Sequence, residues 1–317
     1  MGSASEFKVI EYFTPESSLS DVANDPAFNR SMHMDTAEEN LTEANFGRLL
    51  FPANTGYYGG TKLNNLSLTW YGSLDTEETV EIVNTLKTRA EEGDVIFFDI
   101  YFDEEKKADP NKEDTGLFFF RGNHGAKTAI CNAGGGFVYV GAMQDSFPHA
   151  LELSKMGYNA FVLIYRPGWD TAMEDLGRAL SFLYDHAEEL DIDMENYSLW
   201  GGSAGARMAA TLGNSDYLHY YTGRTDIPQA AAVIMQYTGH SETSKNDVTT
   251  YACVGTRDGI ANWRTMENRL DTLTSIYGIP TEFHSYEGLG HGFGLGTGTV
   301  AEGWINDAVA FWEAQIK

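Results

Sequence analysis

A serine flanked by glycines is the residue of this chain best suited to chemistry. Gly201-Gly202-Ser203-Ala204-Gly205 fits the pattern G-x-S-x-G, between the apolar run Ser198–Trp200 and the helical run Ala206–Leu212. Small residues permit a turn tight enough to expose the serine hydroxyl above a sheet, at a helix N-terminus that favours negative charge. The pattern also occurs by chance as an ordinary strand–helix turn, but its flanks here favour a nucleophile.

A run of three glycines lies upstream, in Asn132-Ala133-Gly134-Gly135-Gly136-Phe137. Acyl transfer passes through an oxyanion that preorganised backbone N–H groups stabilise, and glycines let those groups approach a substrate closely. We predict Gly135 and Gly136 as donors, with the N–H of Ala204 as a third. The alternatives are a flexible loop or a phosphate-binding loop, but the lysine or threonine of a phosphate motif does not follow.

A nucleophilic serine needs a histidine base, which we assign to His291. It lies in the glycine-rich run Gly288–Gly294, after the last predicted strand. His284 falls within that strand and is more simply a packing residue. His240 follows an earlier strand and comes too early in the expected chain order of serine, acid and histidine.

The acid that orients the base is predicted to be Asp258, in Gly255-Thr256-Arg257-Asp258-Gly259 directly after a predicted strand. Asp247 precedes that strand and would lie at the wrong end of the sheet. A single aspartate in a glycine turn is usually only a turn residue. The coincidence of serine, glycine loop, acid and base, in order and each at a strand's end, is what favours catalysis.

Alternating apolar and helical patterns after residue 94 predict the elements that position these residues. Two strands, Val95–Phe102 and Gly116–Arg121, are joined by a charged turn at Asp103–Asp114. Strand and helix then alternate, which predicts an α/β fold with a mostly parallel sheet, an antiparallel edge and helices on both faces. Further strands are predicted at Thr128–Ala133, Asn159–Tyr165, Tyr197–Trp200, Ala231–Tyr237, Tyr251–Val254 and Glu282–Tyr286, and helices at Phe147–Met156, Ala172–Glu189, Ala204–Leu212, Trp263–Tyr277 and Ala301–Gln315.

The chain divides near residue 94, into an N-terminal extension (1–93) and a catalytic domain (94–317). Within the extension, only Thr76–Glu92 has a clear helical period, and Asn54–Tyr71 reads as a loop with many aromatic residues.

Composition limits the possible partners. The 317 residues carry a formal net charge of -25, which disfavours nucleic acid and anionic membrane surfaces. Two cysteines in apolar runs indicate buried free thiols and a reducing compartment. With no signal-peptide pattern visible, a cytoplasmic location is expected, although a leader could have been removed. The oligomeric state is open.

A metal site is not expected, because the chain has no HExxH, paired CxxC or DxDxDG motif. Acyl transfer by a serine, histidine and aspartate needs no metal or organic cofactor either. The clusters Asp191-Ile192-Asp193 and Asp103-Glu104-Glu105 read as solvated turns.

Residues 95–317 resemble the α/β-hydrolase superfamily, and within it the bacterial carbohydrate-esterase and acetyl-esterase branch. The resemblance implies a Ser203, Asp258, His291 triad and an oxyanion hole of Gly135, Gly136 and Ala204. Hormone-sensitive-lipase-like enzymes carry a histidine and an aspartate where this chain has Ala133 and Gly202. Those departures favour the feruloyl- and acetyl-xylan-esterase-like group. The stretches that carry the resemblance are Gly134–Phe137, Tyr165-Arg166-Pro167, Gly201–Gly205, Gly255–Asp258 and His291-Gly292-Phe293.

About a dozen residues separate the strands Ala231–Tyr237 and Tyr251–Val254, where many relatives insert a lid. A lid must therefore come from residues 1–93. We predict that substrate contacts come from Phe137 and from extension aromatics, which are Tyr57, Tyr58, Trp70 and Tyr71. The alternative is that these aromatics only pack the extension onto the core.

The expected activity is hydrolysis of short-chain carboxylic esters, of acylated and especially acetylated carbohydrates, through an acyl-enzyme. Two alternatives remain, which are a peptidase or amidase with the same triad and a non-catalytic binding protein on a hydrolase scaffold.

Overall fold

The computed structural model describes residues 10–33, 40–43, 45–52, 60–72 and 74–316. Their strands form one ten-stranded sheet, in the spatial order β10-β9-β8-β7-β5-β6-β4-β3-β1-β2. The strands are β1 Arg30–His33, β2 Asn40–Glu43, β3 Phe97–Asp99, β4 Gly116–Phe120, β5 Lys127–Asn132, β6 Asn159–Ile164, β7 Asp193–Gly202, β8 Ala232–Gln236, β9 Thr250–Gly255 and β10 Thr281–Tyr286.

The six strands β5 to β10 are mutually parallel, while β4 runs antiparallel to β6 and to β3. Strands β6, β8 and β9 are buried along their whole length, as expected of a parallel sheet covered on both faces. The predicted mostly parallel sheet with an antiparallel edge is confirmed.

Helices cover both faces of the sheet. On one face α5 and α10 meet through His149 and Trp304, whose rings are 5.4 Å apart. On the other face α6, α7 and α8 pack against one another. The helices are α1 Leu19–Ala23, α2 Thr76–Glu91, α3 Asp103–Ala108, α4 Ala142–Asp145, α5 Phe147–Lys155, α6 Trp169–Asp185, α7 Ala204–Gly213, α8 Ser215–Thr222, α9 Trp263–Tyr277 and α10 Trp304–Gln315.

The prediction of a simple charged turn at Asp103–Asp114 is wrong. The segment folds into α3 and a 3-10 helix, Pro110–Asp114. The Glu105 carboxylate accepts the N–H of Phe102 at 2.8 Å, which caps the start of α3, and the residues that follow are good helix formers.

The described part of residues 1–93 packs on the edge of the sheet. Phe46 stacks on Phe97 of β3 with ring centroids 4.7 Å apart, and β1 pairs in parallel with β3. The Lys87 ammonium of α2 pairs with Asp25 at 2.8 Å, with both side chains largely buried. Helix α2 confirms the predicted helix, and the division at residue 94 stays a prediction.

Cys131 and Cys253 are free and buried, as predicted. None of the helices in the described ranges is long and apolar enough to span a bilayer.

Candidate active site

Ser203 is the single residue between the end of strand β7 and the start of helix α7. Its backbone has φ 52° and ψ -115°, a strained conformation for a residue with a side chain. Its N–H donates to the carbonyl of Gln236 at the end of β8, at 3.0 Å. The turn depends on small neighbours, since a Cβ at Gly205 would lie 2.0 Å from the carbonyl oxygen of Asn132. The local sequence thus dictates a sharp turn with the hydroxyl at a helix N-terminus.

His291 bridges Ser203 and Asp258. Its Nε2 lies 3.1 Å from Ser203 Oγ, and its Nδ1 lies 2.7 Å from Asp258 Oδ2. The other carboxylate oxygen, Oδ1, accepts the N–H groups of Ile260 and Ala261 at 2.8 and 2.7 Å. With Nδ1–H donating to Asp258, the lone pair of Nε2 is free to accept the serine proton. The three predicted residues therefore meet in the hydrogen-bonded order that proton transfer requires.

The other histidines considered from the sequence lie elsewhere. The His284 ring in β10 is within hydrogen-bonding distance of the Glu282 carboxylate, at 2.6 Å. Burial and the nearby Arg269 lower the pKa of His240 to about 3. Asp247 accepts the N–H of Ser244 and the side-chain amide of Asn214, so it caps a loop.

The end of strand β8 links Ser203 to the loop that carries His291. The backbone of Gln236 receives the Ser203 N–H, and its side-chain amide donates to the carbonyl of Gly294 at 2.8 Å. Tyr237, the next residue, receives the N–H of Gly294 on its hydroxyl at 3.2 Å. Its ring packs edge-on against His291 with centroids 5.0 Å apart. The histidine is therefore held from the sheet side by two adjacent residues.

The glycine loop after β5 lies against Ser203. Gly135, Gly136 and Phe137 all have positive φ, at 125°, 62° and 60°. The carbonyl of Gly135 accepts the N–H groups of Val138 and Tyr139, which closes the loop into a tight turn. Tyr165 of the stretch after β6 donates its hydroxyl to the carbonyl of Ala133 at 2.6 Å and supports the loop from below.

Of the four backbone N–H groups at the glycine loop and the start of α7, one is hydrogen-bonded within the protein and three are available to a substrate. Gly134 donates to Asp145 Oδ2 at 2.9 Å. Within the described ranges, the N–H groups of Gly135, Gly136 and Ala204 donate to no protein acceptor. The arrangement can therefore offer up to three free backbone donors beside the serine hydroxyl.

Asp145 is a residue that sequence reasoning missed. It ends the short helix α4, is 1% exposed, and receives the hydroxyls of Tyr71 and Tyr237, each at 2.5 Å, besides the Gly134 N–H. Burial, reinforced by the Asp145 charge, raises the pKa values of Tyr71 and Tyr237 well above 10, so both remain proton donors. The one signal in the sequence is a lone acidic residue in the otherwise uncharged run Phe137–Phe147.

Two of the four predicted extension aromatics reach the site. Tyr71 lies beside His291, with ring centroids 6.1 Å apart. Trp70 is 49% exposed, stacks on Tyr139 at 5.8 Å, and lies so close to Gly136 that a Cβ there would be 2.8 Å from its ring. Tyr57 and Tyr58 are outside the described residues.

Phe137 contacts a second exposed aromatic residue. Its ring meets that of Trp169 edge-on at 5.3 Å, and Trp169 at the start of α6 is 36% exposed. The guanidinium of Arg207, one turn along α7 from Ser203, lies over the Trp169 ring at 5.2 Å. Trp169 therefore lies beside Phe137 of the glycine loop, as Trp70 lies beside Gly136.

A cavity of about 320 Å³ opens beside His291. Its wall includes Gln144, whose side-chain amide donates to the carbonyl of Gly292 at 2.6 Å, and the start of α2 with Asp75 and Glu78. Burial and the neighbouring Asp75 raise the pKa of Glu78 to about 7. No group of three or more metal-ligating side chains occurs in the part of the chain that the structure describes.

Comparison with known proteins identifies the architecture. Residues 121–268 match the BD-FAE family model, a match that spans the glycine loop, Ser203 and Asp258. No curated protein matches the chain in sequence.

Three solved structures share the fold at low sequence identity. The acetyl ester-xyloside bifunctional hydrolase from Caldicellulosiruptor lactoaceticus is 19% identical, with a TM-score of 0.59 over 69% of this chain and 95% of that one. MGS-M1, an α/β-hydrolase enzyme from a Medee basin deep-sea metagenome library, is 21% identical with a TM-score of 0.55, covering 63% and 92%. The esterase Est2 from Thermogutta terrifontis, in a propionate-bound structure, is 19% identical with a TM-score of 0.55, covering 63% and 89%. The chain therefore has the α/β-hydrolase fold, and its predicted resemblance to esterases of that fold is confirmed.

Proposed function

We propose that this α/β-hydrolase-fold chain is a serine hydrolase of short-chain carboxylic esters, acting on acylated and especially acetylated carbohydrates. The observation that carries the proposal is the position of His291, with one ring nitrogen 3.1 Å from Ser203 Oγ and the other 2.7 Å from Asp258 Oδ2. A neutral imidazole held in this way can take the serine proton as Oγ attacks an ester carbonyl.

The catalytic cycle follows from these contacts. Asp258 stabilises the imidazolium, while the N–H groups of Gly135, Gly136 and Ala204 receive the oxyanion. His291 then returns the proton to the leaving alcohol, which yields an acyl-serine. Water activated by the same histidine releases the acid and restores the hydroxyl.

A small acyl group is supported by the position of Tyr71. The site of a Cβ on Gly134 is 2.1 Å from the Tyr71 hydroxyl and 2.8 Å from Ser203 Cβ, so these two atoms are at most about 5 Å apart. A phenol this close to the nucleophile narrows the space for an acyl chain. We infer that the segment Gly60–Gly72 covers the site in the manner of a lid.

A carbohydrate alcohol is supported by the surroundings of the serine. The exposed parts of the Trp70 and Trp169 rings suit the apolar faces of sugar rings, and the carboxyl oxygens of Asp75 and Glu78 can accept hydrogen bonds from sugar hydroxyls. The similar structure from Caldicellulosiruptor lactoaceticus is named an acetyl ester-xyloside hydrolase.

The direct test is Ser203→Ala, assayed with p-nitrophenyl acetate. We expect kcat to fall at least about 10⁴-fold, because no other group replaces the nucleophile. Fluorophosphonate should label the wild type at Ser203 and leave the variant unlabelled. Ser241→Ala, an exposed serine in the loop after β8, serves as the control and should retain full activity. Comparable turnover by Ser203→Ala would contradict the assignment.

Substrate class is tested on the wild type with acetylated xylo-oligosaccharides, feruloyl esters, an aminoacyl p-nitroanilide and p-nitrophenyl esters of increasing chain length. We expect the highest kcat/KM for acetyl groups on sugars. Faster cleavage of the anilide would instead indicate an amidase.

A further inference from the structure

The buried carboxylate of Asp145 has no part in the proposed catalytic cycle. It receives three hydrogen bonds, from the Gly134 N–H on Oδ2, from Tyr71 on Oδ2 and from Tyr237 on Oδ1. All three donors are neutral, and each comes from a different segment of the chain. The three bonds are charge-assisted and therefore stronger than those a neutral acceptor would make.

Asp145 lies very close to the nucleophile without bonding to it. A Cβ at Gly202, the residue before Ser203, would be 2.7 Å from its carboxylate carbon. The site of a Cβ on Gly134 is 2.7 Å from Asp145 Oδ2 and 2.8 Å from Ser203 Cβ, which places Oδ2 within about 5.5 Å of that carbon. Both carboxylate oxygens are engaged by these three donors, and within the described residues neither makes a hydrogen bond to Ser203 or His291.

We propose that Asp145 is a positioning residue that sets the oxyanion loop and the base loop relative to Ser203, an inference that rests on the proposed ester hydrolysis. By holding the Gly134 N–H, the carboxylate fixes the orientation of the peptide units that follow, whose N–H groups at Gly135 and Gly136 stay free for the oxyanion. Through Tyr237 it reaches the Gly294 N–H and the ring of His291. Through Tyr71 it holds the N-terminal segment against the same loop.

The direction in which kcat changes distinguishes a positioning role of Asp145 from repulsion of the oxyanion by its charge. A carboxylate within about 5.5 Å of the Cβ of Ser203 repels a developing oxyanion, so this repulsion alone predicts faster turnover when Asp145 is neutralised. Positioning predicts the opposite. In Asp145→Asn one carboxylate oxygen becomes an NH2 group and the charge is removed, so the bond of the partner that faces this group is lost or reversed, while the side-chain shape is kept.

The experiment compares Asp145→Asn and Tyr237→Phe with the wild type and with Asp271→Asn, an exposed aspartate on α9. Kinetic constants for p-nitrophenyl acetate are measured together with the inhibition constant of phenylboronic acid, whose tetrahedral serine adduct requires the oxyanion donors. For Asp145→Asn we expect kcat to fall roughly 10²-fold, KM to change less than threefold, and the boronate to bind at least tenfold more weakly. Tyr237→Phe should change in the same direction by less, and Asp271→Asn should match the wild type.

Further readouts distinguish the possible causes. If Asp145 only positions other groups, the acid-side pH at which kcat/KM is half-maximal is unchanged in Asp145→Asn. If its charge instead acts on His291, removal of that charge lowers this pH. An unchanged or raised kcat with unchanged boronate affinity in Asp145→Asn overturns the inference. Should Asp145→Asn fail to fold, Tyr237→Phe decides, because it removes one hydroxyl and leaves the carboxylate.

The inference and the proposed function can fail separately. A wild type that fluorophosphonate does not label would overturn the function, and the inference with it. A labelled, active wild type beside a fully active Asp145→Asn overturns the inference alone.

Discussion

The candidate site draws on two regions of different construction. The proposed nucleophile, acid and base follow β7, β9 and β10, whose parallel pairing brings their carboxyl ends to one edge of the sheet. Trp70 and Tyr71 come instead from Gly60–Gly72, a segment with a single 3-10 turn, Leu63–Asn65, that is held to the site by side chains. Ser203, Asp258 and His291 must be placed within a fraction of an ångström for the proposed proton transfer, whereas Trp70 and Tyr71 shape and cover the space around them.

Replacing an orienting group at the strand ends should have the largest effect. In Asp258→Asn, we expect kcat for p-nitrophenyl acetate to fall about 10⁴-fold, because the amide favours the wrong tautomer of His291. Steady-state kinetics measure the loss, and thermal unfolding verifies the fold. Glu287→Gln, an exposed carboxylate in the loop after β10, is the matched control and should be fully active. A loss below tenfold in Asp258→Asn would mean that another group orients the base.

Breaking the buried ion pair between Lys87 and Asp25 tests whether the N-terminal region unfolds together with the sheet. Lys87→Ala leaves Asp25 buried without its cation, and we expect a loss of about 3 kcal/mol in the free energy of unfolding. Denaturant unfolding followed by fluorescence should show one transition at lower denaturant. Lys155→Ala, which breaks two more exposed ion pairs, with Glu81 and Glu152, should cost less than about 1 kcal/mol. Two separate transitions would show instead that residues 1–93 unfold independently.

Removing the Trp70 side chain should weaken the binding of a sugar ester and leave the rate of the chemical step nearly unchanged. For Trp70→Ala we expect KM for acetylated xylo-oligosaccharides to rise roughly fivefold to tenfold through lost stacking, with kcat within twofold. KM for p-nitrophenyl acetate, whose alcohol is not a sugar, should change little. Tyr220→Ala, an aromatic residue of α8 that is 77% exposed, is the control. An equal rise in KM for both esters would argue against a sugar subsite at Trp70.

The smallest effect is expected from the ionisation of Glu78, in the wall of the cavity beside His291. Because burial raises the pKa of Glu78 to about 7, the folded state favours the protonated carboxyl, and Glu78 reduces stability as the pH rises from about 4.5 to 7. Glu78→Gln should therefore raise the melting temperature by about 2 °C at pH 8 and leave it unchanged at pH 4.5. The neighbouring exposed Glu77→Gln should show no such trend. A shift of equal size at both pH values would rule out this titration as its cause.

How far the sequence predicts the molecule follows the same division. Strands β5 to β9 are recognised because each contains a short apolar run bounded by turn residues. The strand predicted at Tyr197–Trp200 extends over Asp193–Gly202, because its polar first residues lack the apolar signal. In the N-terminal region, β1, β2 and the 3-10 turns are too short to have a period, so only α2 is predicted.

Asp145 marks the limit for the site. Its partners Tyr71 and Tyr237 are 74 and 92 positions away along the chain, and no local pattern records such pairings. His291 is likewise 88 positions from Ser203 and 33 from Asp258, yet each of these three residues lies in a glycine-rich turn after a strand, which is recognisable in the sequence.

These separations also have a consequence for how the protein acquires activity as it folds. The Ser203–His291 contact closes a loop of 88 residues, and the contacts of Asp145 join Tyr71 to residues beyond β8. Contacts between distant residues cost loop entropy and form slowly. We therefore expect ester turnover during refolding to recover later than the far-ultraviolet circular dichroism signal. Activity would thus report the last docking step of the chain.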